Sequence, residues 1–186
     1  IATTQAGRKA HPNDKEIMLD EVAFLQEAGR TDEVEVSVKA ALEKDPSNAV
    51  LHSLLASIYE GKADPKGGTK PSEADMNKWY DLAEAEYKKS IEQDPKFFDS
   101  YFNIGVLYNN RAAYEYDKAN NEKDDTKYQK LKKAADDIYL KAVPYFEKAH
   151  ELKPDDKPTI QQLKTLYAKA QNTAKFQEMK ALLGEK

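Results

Sequence analysis

Residues 101–108 read Tyr101-Phe102-Asn103-Ile104-Gly105-Val106-Leu107-Tyr108, and further on come Ala142-Val143-Pro144-Tyr145-Phe146-Glu147-Lys148-Ala149 and then Pro154. In the first stretch apolar and small residues recur three and four places apart, the spacing of one helix face. Gly105, Ala142 and Ala149 are small enough to let two helices approach to roughly 8–10 Å. A proline just past the last turn stops the second helix, because it has no N–H to continue the ladder. These residues predict a pair of helices packed through small side chains, with aromatic residues such as Tyr59, Tyr87, Tyr108 and Phe146 filling the space between pairs.

The same ending recurs along the chain. Lys9–Asp14, Glu43–Asn48, Glu92–Phe97 and Glu151–Asp156 carry prolines at 12, 46, 95 and 154. The first interval is 34 residues, and the next two, 49 and 59, are that interval lengthened by 15 and 25. A period of 34 with two insertions accounts for all three. The sequence thus divides into the end of a preceding unit (1–12), a first repeat (13–46) and a second (47–95) with an insertion at about 60–78. A third (96–154) has its insertion at about 111–137, and a divergent terminal unit occupies 155–186.

This pattern resembles the tetratricopeptide repeat, whose period is 34 residues. In the third unit Tyr101, Ile104-Gly105, Tyr108, Ala142, Phe146, Ala149 and Pro154 fall on the family's aromatic, Leu-Gly, Tyr, Ala, Phe, Ala and Pro positions. The second unit keeps Leu55-Ala56, Tyr59, Ala83, Tyr87, Ser90 and Pro95. The first keeps Gly29, Ala41 and Pro46 but has Val22, Leu25, Val34 and Val38 where small and aromatic residues are usual. The last keeps Ile160, Leu163 and Tyr167 and then drifts at Phe176, Lys180 and Leu183, as expected of a terminal repeat with one face in water. The resemblance implies an all-α fold, an α-solenoid of stacked antiparallel helix pairs forming a superhelix, here with one elongated helical hairpin. Because Pro12 ends a repeat whose other part is missing, and the chain begins with Ile1, the sequence is expected to be the C-terminal piece of a longer repeat protein.

Helices are expected at 14–28, 31–44, 47–60, 72–93, 97–120, 125–152, 156–170 and 173–184, with Asp14, Thr31, Ser47, Ser72 and Thr173 at or near their starts. Gly61, and Gly67 and Gly68 between Pro65 and Pro71, mark an irregular loop, and the rest of the 15-residue insertion lengthens the start of the 72–93 helix. The 25-residue insertion holds neither Gly nor Pro. Tyr108, Ala112, Tyr116 and Ala119 on one arm, and Tyr128, Leu131, Ala135 and Ile138 on the other, keep helical spacing around a polar turn at 120–125. Each arm gains about eleven residues, roughly 16 Å. Pro144 should kink the returning helix where Leu140 loses its amide partner.

Charge and composition narrow the chemistry. Lys and Arg number 29 against 33 Asp and Glu, a formal charge of −4, with lysines alternating with glutamates along helices rather than forming a basic stripe, so no nucleic-acid partner is expected. No apolar run is long enough for membrane insertion. With no cysteine, disulfides, Cys-ligated metals and thiol nucleophiles are excluded, while cytoplasm and periplasm are both compatible. His11, His52 and His150 lack ligand spacing, and Asp124-Asp125, Asp136-Asp137 and Asp155-Asp156 lack the alternating oxygens and central Gly of a calcium loop. Gly67-Gly68 has no strand–loop–helix context for a phosphate. Neither a nucleophile elbow nor a catalytic constellation is present, so no catalytic residue, cofactor or metal is expected and the protein is read as a non-enzyme. The eleven tyrosines are read mainly as core packing.

The family resemblance also implies where a partner sits. In the family the second, fifth, sixth, ninth and twelfth positions of each first helix usually face the concave groove, which here selects Leu19, Ala23, Ser53, Ser57, Phe102, Asn103, Val106, Asn109, Gln161 and Thr165. Modules that grip a C-terminal carboxylate carry Lys and Asn at fifth and ninth positions, and only Asn103, at a sixth, fits that scheme. The expected surface is uncharged, with an apolar patch at Phe102 and Val106 flanked by Ser and Asn, suited to an extended or helical polypeptide. The expected function is a protein–protein interaction scaffold, binding through this groove or through the projecting hairpin, which is also the candidate surface for self-association. A small-molecule or glycan-binding component of a bacterial-type surface or periplasmic assembly is the alternative reading.

Overall fold

A computed structural model of the chain describes residues 30–65 and 69–185, with Asp20 and Phe24 in addition. Asp20 and Phe24 are helical; the rest of the expected 14–28 helix, its Asp14 cap, Leu19, Ala23, Gly29 and the Gly67-Gly68 turn lie outside the described residues. Every regular element among the described residues is an α-helix, and no helix there is long and apolar enough to cross a membrane. The chain divides into two compact units, 1–95 and 96–186.

In the first unit, α1 (Thr31–Lys44), α2 (Ala49–Ala63) and α3 (Glu73–Gln93) pack in sequence, α2 against both neighbours. Val34, Val38 and Ala41 of α1, Leu55, Ala56 and Tyr59 of α2, and Tyr80, Ala83 and Tyr87 of α3 are buried at three- and four-residue spacing, the pattern that makes each helix amphipathic. Asn48, one residue beyond the expected Ser47, caps α2 by accepting from the Leu51 N–H at 3.1 Å. Ser72 caps α3 as expected, accepting from Asp75 N–H at 3.1 Å. Arg30, preceding the expected Thr31, begins α1 without a side-chain cap.

The second unit holds the long hairpin. Its first arm is α4 (Phe98–Asn120), 23 residues, and its second arm is α5 (Asp125–Leu140), joined by a polar turn. Where one helix is expected over 125–152 there are two: α5 ends at Leu140, residues 141–142 form a turn, and α6 (Val143–Leu152) begins with Pro144 in its first turn. The break has a simple cause. Pro144 cannot serve the Leu140 carbonyl, but its fixed φ suits the start of a helix, so the chain breaks and restarts instead of bending. Next come α7 (Lys157–Lys169) and α8 (Thr173–Leu182). Helix α4 packs on α5 and α6, α6 on α7, and α7 on α8. Asp156 caps α7, and Asn172, rather than Thr173, caps α8.

Five tyrosines (59, 80, 87, 108 and 167) are buried and the other six are half-buried, so fewer than half belong fully to the core. The half-buried ones include Tyr114, Tyr116, Tyr128 and Tyr139 on the hairpin, where the rings cover part of the apolar surface and keep their hydroxyls toward water or polar partners.

Candidate functional site

In the first unit the two expected site residues sit one turn apart on α2. Ser57 is exposed, and its hydroxyl donates to the Leu54 carbonyl at 2.8 Å. Ser53 is only 7% exposed and therefore presents almost no surface. Its neighbour His52 is buried too, with Nδ1 2.6 Å from Glu86 Oε2 and Nε2 2.9 Å from the Pro46 carbonyl, which ties α2 to α3 and to the preceding turn. At the far side of α2, Lys62 pairs with Glu35 at 2.5 Å and lies 5.2 Å from the centre of the Trp79 ring. Burial works to raise the Glu35 carboxyl, but hydrogen bonds from Lys39 and Lys62 outweigh it and hold the group below the usual carboxylate range.

In the second unit Phe102, Asn103, Val106 and Asn109 lie along one side of α4, because offsets of 1, 4 and 7 fall close together on a helix. All four are half-buried. Phe102 is partly committed to packing inside the unit, edge-on to Phe146 at 5.5 Å between ring centres and stacked with Phe98 at 5.9 Å. Lys153 caps that cluster, 3.8 Å from the Phe98 centroid. Asn109 donates through Nδ2 to Gln162 Oε1 at 2.8 Å, while its Oδ1 is buried and accepts no hydrogen bond in the structure. On α7, Gln161 and Thr165 are exposed, with the Thr165 hydroxyl donating to the Gln161 carbonyl at 3.0 Å.

The structure therefore joins the α4 and α7 members through a residue outside the expected set. Gln162, the neighbour of Gln161, is the one that reaches Asn109. Gln161 and Thr165 lie on the exposed face of α7, and the Gln-Gln pair at 161–162 is the one signal in the sequence that an amide can lie on either side. Phe98 and Lys153 were missed because Phe98 stands at the helix start and Lys153 beyond the end of α6, where periodicity gives no facing.

Beside this face are two charged networks. Asp136 of α5 accepts from the Tyr116 hydroxyl of α4, from Lys132 at 3.1 Å and from Lys169 of α7 at 2.6 Å. Burial alone would raise the Asp136 carboxyl, but the hydrogen bonds from Lys169, Tyr116 and Lys132 hold it down at about 2. Glu147 of α6 accepts from the Tyr167 hydroxyl of α7 at 2.6 Å and from Lys175 of α8 at 2.5 Å. Burial first, and then the Glu147 carboxylate, push the Tyr167 phenol up. Among the described residues no group of three His, Asp or Glu side chains is arranged to hold a metal ion.

Residues 86–126 match the model of the tetratricopeptide repeat family. The chain carries tetratricopeptide repeats. The type IV pilus assembly protein PilF of Pseudomonas aeruginosa is 30% identical over 127 residues, 68% of this chain and 40% of PilF. The chain thus spans about two fifths of the length of that curated relative. Two crystal structures of MamA are similar in fold, at 16% identity. One gives a TM-score of 0.64 over 97% of this chain and 85% of that one, the other 0.58 over 97% and 75%. The likeness to MamA places this tetratricopeptide array among the helical-repeat folds and goes no further than fold.

Proposed function

We propose that this chain is a non-catalytic scaffold that binds a partner polypeptide, with the α4–α7 face of the second unit as its main contact. The observation that carries the reading is the composition of that face. Phe102 and Val106 are half-buried apolar anchors, and Asn103 and Gln161 add amides that can both donate to and accept from a peptide backbone. None of these side chains is charged. A surface of this kind rewards an apolar side chain inserted beside Phe102 and satisfies the backbone around it, which is how repeat arrays commonly hold extended or helical segments. In the first unit Ser57 is the exposed member of the expected pair, with Ser53 contributing shape rather than a hydrogen-bonding group. The projecting α4–α5 hairpin is the second surface on which a partner would rest.

The likeness to a pilus assembly protein supports a partner that belongs to a multi-protein structure rather than a soluble metabolite. The test begins with affinity capture by the full-length protein, followed by titration of each retained polypeptide against wild type, Phe102→Ala and Asn103→Ala. Loss of the half-buried aromatic anchor Phe102 should weaken binding by roughly tenfold, and loss of one amide by several-fold. Unchanged affinity in both variants would remove the α4–α7 face and leave the hairpin as the binding surface.

A further inference from the structure

The second arm of the hairpin is held by little buried apolar surface. Helix α5 buries a single side chain, Ala135, whereas α4 buries Ser100, Ile104, Gly105, Leu107, Tyr108, Ala112 and Ala119. Tyr128, Leu131, Ile138 and Leu140 of α5 are half-buried. An alanine removes little apolar area from water, so burial at the centre of the α5 face contributes a small part of what a leucine would. A 16-residue helix is also marginal in water without tertiary support.

Both ends of α5 are broken. Residues 121–124 separate it from α4, and the turn at 141–142, followed by Pro144, separates it from α6. Pro144 has no N–H to give the Leu140 carbonyl, so the two helices do not share one continuous i→i−4 ladder and meet only through the turn at 141–142. Between these breaks the side-chain polar contacts of α5 with α4 and α7 meet at one carboxylate. Asp136 bonds Tyr116 of α4 and Lys169 of α7, and Lys132 from its own helix completes the set. Lys169 lies 5.0 Å from the centre of the Tyr116 ring, and Tyr116 meets Tyr139 edge-on at 6.5 Å between centres. Removing the carboxylate would therefore leave a phenol and an ammonium on two other helices without their shared acceptor.

We propose that α5 is a latched arm: it releases from α4 and α7 as one cooperative segment while α4 and α6–α8 remain folded, and Asp136 is the latch that sets how often it does so. Helices with few buried contacts and electrostatic ties are where local opening concentrates, at a free-energy cost below that of global unfolding. The latch is an ion pair at the surface of the unit, so salt weakens it; at 1 M the screening length is about 3 Å.

Amide hydrogen exchange of the full chain, read by mass spectrometry, tests this. In wild type the amides of 125–140 should exchange faster than those of 104–112, and raising salt from 0.05 to 1 M should widen the difference. Asp136→Asn and Lys169→Gln, which remove opposite ends of the latch from different helices, should each speed exchange in 125–140 by roughly tenfold and leave 104–112 unchanged. Asp137→Asn removes only the exposed pair with Lys133 on the same helix, at 3.0 Å, and should leave the arm at its wild-type rate. Two results would overturn the proposal: equal protection of the arm and the α4 core in wild type, or acceleration of the whole unit in step with the arm in both latch variants. Should Asp136→Asn fail to fold, Lys169→Gln and the salt series decide the matter alone.

Discussion

Gly105 of α4 and Phe146 of α6 touch so closely that a Cβ on Gly105 would stand 2.6 Å from Cε2 of the ring and 2.7 Å from Cζ. Phe146 is fully buried, so the ring has no free space into which it could swing. This contact lies where α4 packs on α6. Gly105→Leu should force the helices apart and destabilise the protein by about 1–3 kcal/mol or more. A thermal melt followed by circular dichroism at 222 nm checks it. Pairing Gly105→Ala with Phe146→Leu should cost less than the two changes made separately, because the smaller side chain relieves the clash.

Asp156 holds the start of α7 twice over, accepting from the Thr159 N–H at 2.9 Å and from the Thr159 hydroxyl at 2.6 Å. Thr159 is fully buried, so its hydroxyl has no water to turn to. Asp156→Ala should cost about 1–2 kcal/mol, near the upper end for a helix cap. Urea titration should show a lower midpoint with an unchanged slope.

The Asp136 carboxyl, held down at about 2, ionises in the folded protein well before it does in the unfolded chain at 3.8. A depressed carboxylate contributes stability that is complete above the unfolded value and is lost as pH falls through the folded one. The gap in melting temperature between wild type and Asp136→Asn should therefore be constant from pH 7 to about 5 and shrink between about 4 and 2. Melts in low-salt buffers across that range measure it. A gap that stays constant down to pH 2 would mean that the carboxylate's charge is not what stabilises the site.

Tyr87 is buried, and its hydroxyl donates to Glu60 at 3.2 Å. Burial first and the neighbouring carboxylate second push its phenol far up from the ordinary 10.0. A group raised in this way contributes stability that is complete below its unfolded value and fades as pH climbs above it. In a titration of phenolate absorbance, Tyr87→Phe should leave the amplitude at pH 11 unchanged, because Tyr87 stays neutral there while the folded state survives.

Much of the architecture was legible in local signals, and the exceptions are instructive. Pro46, Pro95 and Pro154 close helices because a ring without an N–H acts wherever it stands, so α1 and α3 lie almost where the sequence puts them. Pro144 was legible as a disturbance but not as a break. The choice between bending and restarting is made by the packing of the following helix, in which Phe146 lies against Gly105. The caps moved by a single residue, from Ser47 to Asn48 and from Thr173 to Asn172, since neighbouring polar side chains compete for the same backbone donors and only the final geometry chooses.

For the candidate site the division is sharper. Sequence alone determined the repeat period, the helical class and the alignment of Phe102, Asn103, Val106 and Asn109 on one side of α4, because spacing within a helix fixes facing. Tertiary structure alone decided that Ser53 is buried, that Asn109 meets Gln162 rather than Gln161, and that Asp136 gathers Tyr116 and Lys169. Those contacts join residues on different helices, and a small rotation of one helix about its axis exchanges one partner for the next. That rotation is set by the whole packed interface, which no local stretch of sequence contains.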